Sequence, residues 1–158
     1  MSMPMDRHTG STDRSRLRWL WGLVLAYCVL IFVGSAQHDL SPPDFPSSDK
    51  VAHFLEYGVL GMLWARAAQA SWLHWTFRVL LMSTMLFTGL YGLTDEGHQF
   101  YVPGRFSDWH DALADVCGGT IGGFGYLLTF RWRTRGTVMN QLVWGKTDIV
   151  DKGYKDKG

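Results

Sequence analysis

The chain has 158 residues, a formal net charge of +1 and 47% hydrophobic residues, so its length suggests one domain. With only two cysteines, a disulfide scaffold or a thiolate metal site has little support. The mean hydropathy of −0.03 would pass for a soluble protein, but it averages polar ends and an acidic connection with four apolar stretches, and eight tryptophans fit interfacial belts better than a soluble core.

Residues 1–16 are polar, without a periodic apolar face, and read as a disordered tail. The first apolar segment, residues 17–36, follows Arg14, Arg16 and Arg18 as a signal peptide would. Its unbroken run exceeds a signal core, so the expectation is an uncleaved first span. Pro42, Pro43 and Pro46 then deny the connection a continuous helix, and Ser47, Ser48 and Asp49 offer caps for a second span over residues 51–70. A very short link near residues 71–76 makes the second and third segments an antiparallel hairpin. The third, residues 76–93, ends abruptly in polar sequence, and Val102-Pro103-Gly104-Arg105 reads as a turn. The fourth, residues 109–130, carries Gly118 and Gly122, and Gly119 and Gly123, at the spacing that lets a neighbouring helix backbone approach in lipid. Residues 131–158 read as a basic, partly ordered tail.

Each segment approaches the roughly 20 residues needed to cross a hydrocarbon core. Charge supplies the orientation. Of 15 Lys and Arg, all but Lys50 and Arg105 fall on one side of the pattern, while Asp39, Asp44, Asp49, Glu56, Asp95, Glu96, Asp108, Asp111 and Asp115 fall on the other. Basic short loops stay cytoplasmic, so the prediction is an all-α bundle of four transmembrane helices with both termini cytoplasmic and a polar pocket at the outer face. A soluble bundle would leave this one-sided distribution unexplained. The basic residues flank spans, which argues against nucleic acid as a partner.

Three polar clusters share a depth on the acidic side. Asp49, His53, Glu56 and Tyr57 form one helical stripe, Asp111, Asp115, Gly118 and Gly122 form another, and Asp95, Glu96 and Gln99 end the third segment. Acids just inside a bilayer must pair, face water or bind something. Three readings stay open: a structural network closed by Lys50 and Arg105; a metal held by His53 and carboxylates; or a paired-acid mechanism with one carboxyl protonated and another ionised. No HExxH motif, nucleophile elbow, phosphate loop or CxxC is present, so no cofactor is assigned.

Residues 49–57, DKVAHFLEY, resemble the pattern DKxxHFxxY of the VanZ-like family, small bacterial membrane proteins named for a member associated with low-level teicoplanin resistance. Residues 95–105, DEGHQFYVPGR, resemble DExxQxxxPGR, and Asp111, Asp115, Gly118 and Gly122 resemble DxxxNxxGxxxG, with Asp115 where the family typically has Asn. The resemblance covers residues 49–125 and implies a four-span protein of the bacterial cytoplasmic membrane with an envelope role. The combined expectation is an outer pocket that binds an envelope lipid headgroup, cell-wall precursor or glycopeptide through Asp49, Lys50, Tyr57, Asp95, Gln99, Arg105 and Asp115. Glu96, Asp111 and His53 are acid/base candidates should the chain instead be an intramembrane enzyme on a lipid. A third alternative is a non-catalytic packing module, with self-association through Gly118 and Gly122. Membrane lipids are partners in every case.

Overall fold

A computed structural model of the chain describes residues 9–36, 48–103 and 108–155, with side chains described for residues 13–36, 48–103 and 108–134. It is all-helical among those residues: α1 (Thr9–Ser35), α2 (Ser48–Ser71), α3 (Phe77–Gln99) and α4 (Trp109–Lys155). The chain divides into two compact units, Met1–Tyr126 and Leu127–Gly158. The first contains the cluster anticipated from sequence. The second contains the continuation of α4 to Lys155, where the sequence alone predicted a tail.

Three helices, over Asp13–Ser35, Phe77–Gln99 and Trp109–Thr134, are long and apolar enough to cross a membrane. Their large apolar side chains are largely turned outward. Leu25, Leu30, Leu86, Leu90 and Ile121 each keep more than half their surface exposed, a pattern suited to lipid and costly in water. The fourth helix, α2, has comparable length but bears Asp49, Lys50, His53, Glu56 and Arg66. It packs one face against the other helices and leaves Val51, Leu55 and Met62 exposed on the other. His53, Tyr57, Leu60, Gly61, Ala65, Ala67 and Ala68 are buried on it, against α1, α3 and the first half of α4.

The ends of the helices follow from local chemistry. Thr76 caps α3, its hydroxyl accepting from the Val79 N–H at 3.4 Å, so the link after Ser71 takes only a few residues and α2 and α3 run as an antiparallel pair. At the far end of α3 the N–H groups of Tyr101 and Val102 donate to the His98 and Gln99 carbonyls, tightening the chain before Pro103.

Glycine brings α2 and α4 into backbone contact. A Cβ on Gly122 would collide with the Gly58 carbonyl and one on Gly61 with the Gly119 carbonyl, while one on Gly118 would lie 2.9 Å from the Phe54 carbonyl carbon. Without lipid-like attraction to distinguish helix from tail, such close approach supplies the van der Waals energy that holds membrane helices together. The Gly118 and Gly122 surface expected to receive a second copy is thus occupied by α2 of the same chain. On the other side of α4, Gly119 and Gly123 meet Thr88 and Thr84, whose hydroxyls donate to the Thr84 and Leu80 carbonyls within α3. Their hydroxyls are satisfied within α3, so both threonines can pack against the glycines.

Candidate functional site

The start of α2, the end of α3 and the start of α4 converge. Lys50, in the first turn of α2, donates from Nζ to Asp108 Oδ2 at 2.9 Å and to Asp111 Oδ1 at 3.0 Å. Asp108 caps α4: its Oδ1 accepts from the His110 N–H at 3.0 Å, satisfying one of the open donors of the first turn. The hydrogen bond from Lys50, followed by those from His110, holds the Asp108 carboxyl well below the usual carboxylate range. The same contacts with Asp108 and Asp111 hold the Lys50 ammonium above the usual lysine range. Asp108 was counted among the acids in the sequence but not selected for the site. Its position just before an apolar run is the N-cap signal that could have found it.

One turn further into α2, His53 Nδ1 lies 2.9 Å from Asp115 Oδ1. Both residues are buried, and Asp115 is wholly so. Glu96 reaches over from α3, where its Oε2 accepts from the Asp108 backbone N–H at 2.9 Å, tying the end of α3 to the start of α4. Donor atoms of His53, Glu96 and Asp115 lie within 4.8 Å of one another, as do those of Asp49, His53 and Asp111. Three helices therefore place an imidazole and several carboxylates at one depth.

Tyr57 lies one turn beyond His53, its ring nearly parallel at a centroid distance of 6.4 Å. It is fully buried, and its hydroxyl has no hydrogen-bond partner among the described residues; Asp115 Oδ2 has none there either. Asp95 and Gln99 face a different neighbour. Asp95 Oδ1 accepts from Ser35 of α1 at 2.6 Å, which fastens α1 to α3, and Oδ2 accepts from Gln99 Nε2 within α3 at 3.2 Å. Ser35 escaped the sequence reading because a lone serine at the end of an apolar span carries no periodic signal. Arg105 lies outside the described residues.

The chemistry available is specific in kind. Lys50 is engaged by two carboxylates, Glu96 is anchored to a backbone amide, and His53 with Asp115 has the geometry of a base and the group that orients it. Among the described residues, six acids, Asp49, Asp95, Glu96, Asp108, Asp111 and Asp115, share this end of the helices with Lys50, His53 and His110, whose Nδ1 lies 2.7 Å from Asp108 Oδ1.

Outward-facing apolar helices around a charged and buried polar cluster define a helical membrane protein. The VanZ/LLP1 family model matches residues 19–131, most of the chain including all three polar blocks, and the chain belongs to that family. No curated protein and no solved structure matches it.

Proposed function

We propose that this VanZ-family chain is a multi-pass protein of the bacterial cytoplasmic membrane, with α2 as a fourth crossing helix, both termini cytoplasmic, and the His53–Asp111–Asp115 end facing outward to bind the headgroup of an envelope lipid or cell-wall precursor. The observation that carries this reading is the convergence of Lys50, His53, Glu96, Asp111 and Asp115 from three helices, with more acid than Lys50, His53 and His110 balance among the described residues. Such a surplus is expensive beside lipid unless it has a task. The orientation rests on Arg16, Arg18, Arg66 and Arg78, which lie in the sequence segments opposite the acidic ones. Because Lys50 is already bound by two carboxylates, the cluster favours the amine or hydroxyl groups of a headgroup over its phosphate.

Native mass spectrometry of the purified protein with a lipid-linked cell-wall precursor, with phosphatidylethanolamine and with teicoplanin tests this reading. Retention of one of these by the wild type, and its loss in Asp111→Asn, is the expected result; equal retention by both proteins would overturn it. A cysteine placed at Val102 should be labelled from outside intact cells, and labelling from the cytoplasm alone would overturn the orientation.

A second reading is favoured by the 2.9 Å His53–Asp115 pair: an acid/base enzyme on a membrane lipid, with His53 as base and Asp115 holding its ring. Turnover of a headgroup lipid by wild type but not by His53→Gln would select it over binding alone.

A further inference from the structure

We infer that His53, Glu96 and Asp115 form a site for one divalent first-row transition ion of the zinc or manganese class, buried between α2, α3 and α4. An imidazole nitrogen with two carboxylate oxygens suits such an ion, whereas calcium and magnesium require a shell of six or more oxygens. The inference goes beyond headgroup binding and does not depend on it.

The spacing fits. Ligands held at about 2.1 Å from an ion stand about 3.0 Å apart at a right angle and about 3.4 Å apart in a tetrahedron. His53 Nδ1 and Asp115 Oδ1 are 2.9 Å apart, and the Glu96 donor lies within 4.8 Å of the other two, close enough for side-chain rotation to close the set. All three residues are at most 5% exposed. Nδ1 must be without a proton to ligate an ion, so uptake by the tautomer that donates from Nδ1 to Asp115 would release one proton to solvent.

Two further atoms point to a ligand rather than to packing. Asp115 Oδ2 is fully buried with no hydrogen-bond partner among the described residues. The Tyr57 hydroxyl, also fully buried and without a partner among the described residues, lies within electrostatic reach of Asp115. Unsatisfied buried oxygens are costly, and two in one neighbourhood call for a shared partner. Room for the carboxylate is maintained by glycine: a Cβ on Gly92 would stand 2.6 Å from Asp115 Oδ2.

The test is metal uptake by the full chain purified in detergent, stripped with a chelator and dialysed against zinc, manganese, calcium and magnesium. About one zinc or manganese per chain, with a metal-dependent rise in Tm, is expected. Removing a ligand should cost at least the tenfold seen when a supporting residue is lost, so Asp115→Asn and Glu96→Gln should each bind at least about tenfold more weakly, while Trp21→Phe at the other end binds normally. Uptake confined to calcium and magnesium, no uptake, or zinc binding unchanged in both variants would overturn the assignment. Wild-type uptake and Tm decide the matter even if a variant fails to accumulate. Protein that retains a lipid headgroup but takes up no metal would reject the ion while leaving the headgroup reading intact.

Discussion

The two ends of the helices within the first unit are fastened by different chemistry. Around Trp21 and Trp72, aromatic rings do the holding: Trp21 meets Trp64 and Trp72 edge-on at 5.1 and 5.6 Å, Trp72 stacks on Trp75 at 4.4 Å, and Trp64 stacks on Phe87 at 3.8 Å. Their polar edges are accounted for. Trp21 Nε1 donates to Ser71 at 2.9 Å and Trp64 Nε1 to Ser83 at 3.4 Å. Around His53 the reverse holds: charges and hydrogen bonds link the helices, yet Asp115 Oδ2 and the Tyr57 hydroxyl are buried without partners among the described residues. An end built only for packing closes its polar ledger, as the aromatic end does. The open one is where function is to be sought.

The largest effect that would sharpen this contrast should come between the ends, where glycine seats α4 on α2. Gly118→Leu forces a branched side chain into the Phe54 backbone and should cost at least the upper part of the roughly 1–3 kcal/mol typical of overpacking. Membrane abundance and Tm should fall well below those of Ala112→Leu, and equal tolerance would remove the tight contact from the account.

Next in size is His53→Ala, which strips the partner from a fully buried carboxylate and should destabilise by about 1–3 kcal/mol. Trp21→Phe at the aromatic end loses one hydrogen bond and part of two ring contacts, and should cost about 0.5–1.5 kcal/mol. Detergent melting curves measure both, and a reversed order would break the comparison.

Much of this arrangement was legible in the chain. Four apolar segments, the short α2–α3 link and the polar stripe Asp49–His53–Tyr57 follow from composition and helical spacing, and the structure brings Lys50, His53, Glu96, Asp111 and Asp115 together. Helix limits were less legible because periodicity registers apolar faces. α1 begins at Thr9, within the stretch read as a tail, and α4 runs on to Lys155, as no proline follows Pro103 to stop it. The pairing of Gly58 and Gly61 with α4 was missed for a different reason: the glycines of α4 form a dense run, whereas those of α2 are set among bulky apolar residues and only the partner reveals their face. Asp95, a site candidate in sequence, also joins α3 to α1 through Ser35, and Gln99 bonds to it within α3.

The smallest expected effect concerns pH. Asp108 has its carboxyl lowered by Lys50, so its contribution is present above the ordinary carboxylate range and is lost as pH falls through that range toward the lowered value. Lys50 is raised, so its contribution is complete below the ordinary lysine range and is lost only as pH rises beyond it. Both side chains are more than one-third exposed, which keeps the effect small. The Tm difference between wild type and Lys50→Met should therefore be flat from about pH 5 to 9 and shrink below about pH 4. A difference that grows in acid would contradict the bridge.

The claim that the polar end serves chemistry rather than packing is tested most directly by measuring membrane abundance and headgroup retention together, for wild type, Asp111→Asn and Glu96→Gln. These substitutions nearly preserve shape, and Lys50 keeps Asp108 when Asp111 loses its charge. Abundance should stay near wild type while headgroup retention is lost. Parallel loss of both, or full retention in both variants, would contradict the account and leave the cluster as a structural network.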